Sequence, residues 1–114
     1  MILDANSDMQ LAHEETFGPV AALFRFKTDE EAIQLANATE TGLSAYFFST
    51  NLNRARKVAE VLEAGMIGIN EGVISTEVAP FGGVKEFGLD REGSRYSIQE
   101  YLEMKYVLFG GLGG

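Results

Sequence analysis

Three short apolar runs dominate the hydrophobic pattern of the chain and predict buried strands: residues 20–26, 45–49 and 66–70. Each run is apolar on both faces, so each strand needs cover on both sides of a sheet. Helical patterns and short connections separate the runs, which favours parallel pairing through right-handed crossovers. The sequence therefore predicts an α/β fold with a partial parallel sheet in the order β-α-β-α-β.

Two helices are predicted between these strands. Thr28, followed three residues later by Glu31, has the spacing of a capping box and begins the first helix. In residues 52–62, apolar side chains recur at helical spacing and the charged ones lie mostly on other faces. Gly65 is expected to end this second helix. Because two helices cannot cover both faces of the sheet, the sheet is expected to be incomplete.

The C-terminal third of the chain has weaker periodicity. Residues 71–93 are rich in glycine and predict an ordered loop, and long loops in compact domains usually carry function. A short helix is predicted over residues 94–100. Residues 101–109 alternate imperfectly between apolar and polar, which predicts an exposed strand. Residues 110–114 are expected to form a flexible tail.

Composition and charge exclude some functions. A chain of 114 residues has room for one domain with a modest core. It carries 17 acidic and 9 basic side chains, a net charge of −8. Such a surface repels phosphate backbones, so no nucleic-acid partner is expected. Acidity also keeps a protein soluble, and this simpler explanation identifies no substrate.

Cysteine is absent from the chain, which excludes a thiolate nucleophile, a disulfide or a cysteine metal site within these residues. His13 is the single histidine and cannot supply the clustered nitrogen ligands of zinc, so no metal site is expected. No apolar run is long enough to cross a bilayer, and the first residues lack the pattern of a signal peptide. A cytoplasmic protein without a membrane partner is therefore expected.

The common nucleotide-binding motifs are also absent. Gly82, Gly83 and Lys85 do not have the spacing of a phosphate-binding loop, and no Gly-x-Gly-x-x-Gly follows a predicted strand. Neighbouring carboxylates such as Glu14 and Glu15 are usually solvated in an acidic chain. On pattern alone, the chain is a soluble α/β unit with an unusual ordered loop.

Several separated motifs nevertheless resemble, in order and spacing, the C-terminal portion of the aldehyde dehydrogenase superfamily. They are Glu-Glu-Thr-Phe-Gly-Pro-Val at residues 14–20, Asn37 with Gly-Leu-Ser-Ala at 42–45, and Pro-Phe-Gly-Gly-Val-Lys at 80–85 with Gly88 and Arg-Glu at 91–92. Within the superfamily, succinate-semialdehyde dehydrogenases are most similar over residues 72–80, 92–103 and 105–112. The resemblance covers almost the whole chain.

The resemblance implies oxidation of an aldehyde to a carboxylate, with hydride transfer to NAD or NADP. In the family, a cysteine nucleophile, an oxyanion-stabilising asparagine and a general-base glutamate do this chemistry. These groups and the dinucleotide-binding fold lie upstream of the matching region, so no catalytic residue is assigned and no tight cofactor binding is expected. Residues 1–100 would be the C-terminal part of the catalytic domain, and residues 101–109 the oligomerisation strand.

Glu15 and Phe17 match family residues that contact the cofactor. Glu15 corresponds to the glutamate that accepts hydrogen bonds from the nicotinamide ribose hydroxyls, and Phe17 to the aromatic residue beside that ribose. Without the resemblance, a solvated acid and a core phenylalanine would be the simpler interpretation. The resemblance favours the cofactor role in the intact enzyme, but not in this chain alone.

Ser75 and Phe81 match family residues that contact the substrate. In succinate-semialdehyde dehydrogenases, the serine at the position of Ser75 donates to the distal carboxylate, which must receive donors once it is buried. An ordinary loop hydroxyl is an equally good interpretation. Phe81 corresponds to an aromatic residue of the aldehyde tunnel, and it can also simply pack under the turn that follows it.

Arg91 and Glu103 match a charged pair near the subunit interface, where the last strand extends the sheet of a neighbouring subunit. Two solvated charges are the alternative interpretation. Three residues depart from the family pattern: Glu71 and Phe87 replace small residues, and Asp90 replaces a glycine that tolerates positive φ. These departures place a charge near the tunnel, a bulky ring in the loop and strain in the backbone.

Three functional hypotheses follow. The first is a C-terminal fragment of a succinate-semialdehyde-dehydrogenase-like enzyme, inactive alone. The second is a stand-alone interaction module that self-associates or docks onto a full-length relative through residues 101–109. The third is a ligand binder that retains a nucleotide contact at Glu15 and Phe17.

Overall fold

The structure is a computed structural model and describes residues 1–111 and 113. Its strands and helices, in chain order, are β1 (Ile2–Ala5), β2 (Ala22–Phe24), α1 (Asp29–Asn37), β3 (Thr41–Gly42), β4 (Ser44–Phe47), α2 (Leu52–Val61), β5 (Met66–Ile69) and β6 (Val84–Lys85). Two short 3-10 turns are also present, at Gln10–Ala12 and Ser97–Tyr101.

The segment from β4 through α2 to β5, here called the β4–α2–β5 unit, has the strand–helix–strand order and the parallel pairing that the sequence predicts for this region. The two strands pair in parallel, with Ser44 opposite Met66 and Phe47 opposite Ile69. Asn51 begins α2, because its side chain accepts a hydrogen bond from the backbone N–H of Arg54 at 3.0 Å. The helix packs on the strands through its apolar face, as its periodicity predicts.

The prediction of one continuous parallel sheet is wrong for the first half of the chain. β2 pairs in parallel with β1, a strand that was not predicted, and β3 pairs antiparallel with β6. The described strands form three two-stranded sheets, and the helix α1 joins strands of different sheets. β2 takes β1 as its partner, and no pairing among the described strands joins β2 to β4 or β5. The parallel α/β character is retained, and only the crossover from β4 to β5 stays within one sheet.

The helices α1 and α2 lie side by side and run in the same direction. Two ion pairs join their first two turns, and hydrogen bonds of Asn37 join their C-terminal ends. Thr28 begins α1 as predicted and accepts from the N–H of Glu31 at 3.2 Å. The Glu31 carboxylate accepts from the N–H of Lys27, one residue before the position that a full capping box would use.

The glycine-rich loop has more regular structure than its sequence predicts. Phe81 and Glu92 exchange two backbone hydrogen bonds of 2.8 Å, and Ser94 donates its N–H to the Glu77 carbonyl at 3.1 Å. Residues 77–94 thereby form a hairpin, here called the 77–94 hairpin, and β6 lies near its tip. The short helix predicted over residues 94–100 is a 3-10 turn at Ser97–Tyr101.

The strand predicted over residues 101–109 is not present. Tyr101 ends the second 3-10 turn, and residues 102–109 have no regular secondary structure. The physical reason is that a strand requires a hydrogen-bonded neighbour, and no other segment of the described chain pairs with this one. Of the predicted flexible tail, Leu112 and Gly114 lie outside the described residues.

The apolar core is smaller than expected for a chain of this length. In the described part, Ala5 and Ala55 are the apolar side chains that are buried. The radius of gyration is 20.2 Å, against about 13 Å for a compact domain of this size, and the longest dimension is 79 Å. No helix in the described residues is long and apolar enough to span a bilayer. A cytoplasmic location stays a prediction.

Candidate functional site

Glu15 and Phe17 lie together in an open loop that precedes β2. They line one shallow depression with Gln10 and Glu14, whose side chains are joined by a hydrogen bond of 2.8 Å. Glu15 is exposed, and the Phe17 side chain is 97% exposed. An exposed carboxylate can accept hydrogen bonds from sugar hydroxyls, and an exposed ring can pack beside a sugar. The ribose contact that the resemblance implies for these two residues stays a prediction.

Asn70 fixes the point at which the chain leaves β5. Its side-chain oxygen accepts from the N–H of Ser49 at 2.7 Å, and its side-chain nitrogen donates to the Ser49 carbonyl at 2.8 Å. Asn70 has φ of 55°, a left-handed conformation that asparagine tolerates better than most residues. The C-terminal ends of β4 and β5, where ligands commonly bind in α/β proteins, are thus tied together. The sequence reasoning missed this role, because the partner of Asn70, Ser49, lies 21 positions away in the chain.

The segment that carries Ser75 runs back from this edge across β5. A Cβ atom added at Gly68 would lie 2.6 Å from the Tyr46 ring and 3.0 Å from a methyl group of Ile74. Ile74 therefore packs closely over the middle of β5. Ser75, the next residue, is exposed. Its contact with a substrate stays a prediction.

Phe81 lies at the opposite end of β5. The hairpin rests there on the backbone of Gly65, since a Cβ added at Gly65 would come within 2.0 Å of the Gly82 carbonyl oxygen. Phe81 is 40% exposed, so its ring presents an apolar surface next to this contact. Ser75 and Phe81 thus belong to one segment but lie at different points along β5.

Arg91 and Glu103 do not pair with each other in the described chain. Arg91 is half-buried and packs on Gly82, and its guanidinium donates to the Asp90 carbonyl at 3.0 Å. Glu103 is exposed in the irregular segment after the last 3-10 turn. The ion pairs formed among the described residues do not join the two. An interface role for both residues stays a prediction.

Of the three departures from the family pattern, Asp90 does not cause the expected strain. It is not among the described non-glycine residues with positive φ. Instead, the carboxyl group of Asp90 beside Glu100 raises the pKa of Glu100. The Glu71 carboxylate turns back to accept from the N–H of Gly72 at 2.9 Å. The Phe87 ring remains 45% exposed.

Lys85 is a second residue whose role the sequence reasoning missed. Its ammonium donates to the backbone carbonyls of Asn37 at 2.8 Å and Thr39 at 2.9 Å. It also forms an ion pair of 2.6 Å with the carboxylate of Glu63. The side chain is 23% exposed, and its φ is 57°. The lysine therefore joins β6 to the segments that follow α1 and α2.

Metal binding finds no support in the described part of the chain, where no group of three histidine, cysteine or carboxylate side chains is placed to hold an ion. The site residues predicted from the sequence lie on an α/β frame, and their roles in binding stay predictions.

Comparison with protein families identifies this frame. Residues 1–107 match the model of the aldehyde dehydrogenase family. The chain belongs to this family. It is 60% identical over 112 residues to a succinate semialdehyde dehydrogenase of Acinetobacter baylyi and 54% identical to a 3-sulfolactaldehyde dehydrogenase of Pseudomonas putida, in each case over 98% of this chain. It spans about a fifth of these curated relatives, 23% of the length of each.

Solved structures give the same result. An aldehyde dehydrogenase from Brucella melitensis biovar abortus superposes with a TM-score of 0.87 at 60% identity, over 92% of this chain and 22% of that one. An indole-3-acetaldehyde dehydrogenase of P. syringae in complex with NAD+ superposes with a TM-score of 0.87 at 41% identity, over 90% of this chain and 21% of that one. The arrangement of strands and helices described above is therefore that of the matching part of an aldehyde dehydrogenase.

Proposed function

We propose that this chain serves as the C-terminal part of a dehydrogenase that oxidises succinate semialdehyde, or a similarly short aldehyde with a distal anionic group, to the acid. The observation that carries the proposal is the exposed Ser75 hydroxyl on the segment that crosses β5, in a chain 60% identical to a succinate semialdehyde dehydrogenase. The sulfonate of 3-sulfolactaldehyde is also an anion distal to the aldehyde, so both relatives are named for substrates of this type.

In this proposal, Glu15 and Phe17 hold the nicotinamide ribose of NAD or NADP. The Glu15 carboxylate accepts hydrogen bonds from the ribose hydroxyls, and the Phe17 ring packs beside the sugar. The bound dinucleotide supplies the hydride acceptor. The choice between NAD and NADP depends on residues outside this chain.

Ser75 and Phe81 act on the substrate. The Ser75 hydroxyl donates a hydrogen bond to the distal carboxylate, which loses its water shell on binding and needs a donor in exchange. The Phe81 ring forms part of an apolar wall that keeps water from the aldehyde. None of these residues supplies the nucleophile or the base.

A chimaera tests the proposal: the A. baylyi enzyme with its matching 112-residue segment replaced by this chain. We expect NAD(P)H formation that depends on succinate semialdehyde. In the chimaera, Ser75→Ala should raise KM for this substrate about tenfold and leave KM for butanal, which has no distal anion, unchanged. Thr76→Ala is the matched control on the neighbouring exposed hydroxyl. A chimaera that oxidises butanal but not succinate semialdehyde would contradict the proposed substrate.

The chain alone is expected to be inactive, because none of its 114 residues is a cysteine that could attack the aldehyde. Aldehyde-dependent NAD(P)H formation by the pure chain would refute this part of the proposal.

An interaction module is the second candidate function. It is favoured by the apolar side chains of residues 102–109, among which Met104 is 102% exposed and Leu108 is 77% exposed. A second chain could pair with this segment as a strand, with Arg91 and Glu103 near the contact. Light scattering and sedimentation of the chain, alone and mixed with a full-length relative, test this candidate. A dilute monomer that does not bind the relative would exclude it.

A further inference from the structure

The ammonium group of Lys85 is the most fully satisfied charged group outside the predicted site residues. An ammonium has three N–H donors, and three oxygen acceptors surround this one: two backbone carbonyls, of Asn37 and Thr39, and the carboxylate of Glu63. The carbonyls belong to the end of α1, where unpaired carbonyls and the negative end of the helix dipole favour a cation. The end of α1 and Glu63 thus offer three acceptors to the ammonium of a lysine that comes from β6.

Asn37 extends this cluster to the end of α2. Its side-chain nitrogen donates to the Val61 carbonyl at 2.8 Å, and its side-chain oxygen accepts from the N–H of Glu63 at 2.9 Å. The carboxylate that pairs with Lys85 is therefore itself held in place. One lysine side chain joins three parts of the fold that lie more than 20 residues apart in sequence.

The backbone conformation of Lys85 also indicates that the contacts of its ammonium hold the hairpin in place. Lys85 has φ of 57°, a left-handed conformation. Glycine adopts it freely and asparagine and aspartate tolerate it, but for lysine it costs free energy. Lys85 lies in β6, opposite Thr41 of β3, and four residues after Phe81. The contacts of the ammonium offset the cost of this conformation and fix the position of the hairpin tip.

We propose that Lys85 is a positioning residue for the aldehyde site: it anchors the 77–94 hairpin to the ends of α1 and α2, and so holds Phe81 against the substrate path. This inference rests on the proposed function, because it uses the role of Phe81 as a tunnel wall. Lys85 acts through the hairpin and touches neither substrate nor cofactor. Its removal therefore affects aldehyde binding more than the chemical step or dinucleotide binding.

The test uses the chimaera with Lys85→Met, which keeps the length of the side chain and removes the charge, and Lys27→Met as a matched control on an exposed lysine. Hydrogen exchange should become at least about tenfold faster at the amides of Phe81, Glu86 and Glu92 and remain unchanged at Ala55 in α2. KM for the aldehyde should rise about tenfold, with kcat and KM for the dinucleotide within about twofold. Lys85→Arg, which retains donors and charge, should restore most of the affinity.

Two results would overturn the inference: exchange in the hairpin that is the same in Lys85→Met and Lys27→Met, or KM values for aldehyde and dinucleotide that rise together. If Lys85→Met does not fold, Glu63→Gln decides, since it removes one charge and leaves both carbonyl contacts. Faster exchange at the same three amides then supports the anchor, and unchanged exchange overturns it. An inactive chimaera refutes the proposed function alone, because the exchange measurement still reports on the anchor.

Discussion

The β4–α2–β5 unit and the 77–94 hairpin lie against each other but are held by different physical means. The unit is a local structure: a capped amphipathic helix joins two strands that pair in register. The hairpin has one isolated bridge and a two-residue strand that pairs with β3, and two further contacts hold it, Gly82 on Gly65 and Lys85 on the ends of the helices. The comparison shows that side-chain periodicity specifies the first region and a few point contacts specify the second.

The largest effect on the hairpin is expected from Gly65→Ala, which removes its contact with the β4–α2–β5 unit. The new Cβ would lie 2.0 Å from the Gly82 carbonyl oxygen, and neither backbone can move away cheaply. We expect the hairpin to detach, with the free energy of opening at the Phe81 and Glu92 amides lowered by about 3 kcal/mol. Hydrogen exchange in the chimaera measures this change. Gly18→Ala, where nothing lies within 4 Å, is the control. Equal exchange in both variants would show that the contact does not hold the hairpin.

Asn70→Ala tests the junction between the two regions. It removes both hydrogen bonds to Ser49 and leaves alanine at φ of 55°. We expect a local loss of about 2 kcal/mol at the ends of β4 and β5. The amide of Ser49 should exchange faster, whereas Asn53→Ala on the exposed face of α2 should leave it unchanged. If the Ser49 amide stays protected in Asn70→Ala, the two Asn70 hydrogen bonds do not hold the ends of β4 and β5 together.

Asn51→Ala tests the unit alone. The loss of the side-chain cap at the start of α2 should destabilise that helix by about 1 kcal/mol, with no effect on the hairpin. Exchange at the Arg54 amide measures the first effect, and exchange at the Phe81 amide measures the second. Thr50→Ala, one residue earlier and exposed, is the control. If exchange at the Phe81 amide also becomes faster, the stability of the hairpin depends on that of the β4–α2–β5 unit.

A fall in pH should have the smallest effect on stability, and it should weaken the contact between α1 and α2. The Arg54 guanidinium, through a hydrogen bond to Asp29, lowers the pKa of that carboxyl, and a backbone hydrogen bond together with Lys57 lowers the pKa of Glu30. Stability from such groups is fully present above their ordinary pKa, about 4, and is lost as pH falls through the lower folded value.

Circular dichroism of the chimaera at 222 nm between pH 7 and pH 3, with thermal unfolding at each pH, measures this loss. The loss should be smaller in Arg54→Met, because this variant has already lost the pair with Asp29. Arg54 is exposed and Asp29 is partly exposed, so the difference in acid dependence between the two proteins should be modest. If the chimaera and its Arg54→Met variant lose the same stability in acid, the Arg54–Asp29 pair is not the cause of the loss.

The sequence predicted the β4–α2–β5 unit because the ten residues of α2 show helical spacing and its two strands lie in continuous apolar runs. It predicted the start of α1 from Thr28 and Glu31, but not β1, whose four residues contain no usable alternation. It missed β3 and β6 for the same reason, since two-residue strands have no period at all. The strand predicted at residues 101–109 shows the opposite error: alternation was present, but a partner strand was not.

The resemblance to aldehyde dehydrogenases supplied the candidate site residues, and the structure shows their surroundings. Glu15 and Phe17 share one depression, whereas Ser75 and Phe81 lie at different points along β5. The roles of Asn70 and Lys85 were not predictable, because each depends on contacts with residues at least 20 positions away. Such contacts leave no pattern in the local sequence.

The contact of Gly65 with Gly82 has a consequence for which residues of this chain can be exchanged. It joins backbone to backbone, so it imposes no requirement on the side chains around it. Residues of the attached segment, such as Ser75 and Glu71, can therefore be substituted without a compensating change at the attachment point. In the proposed function, a single substitution at Ser75 would change the substrate contact and leave the frame unaltered.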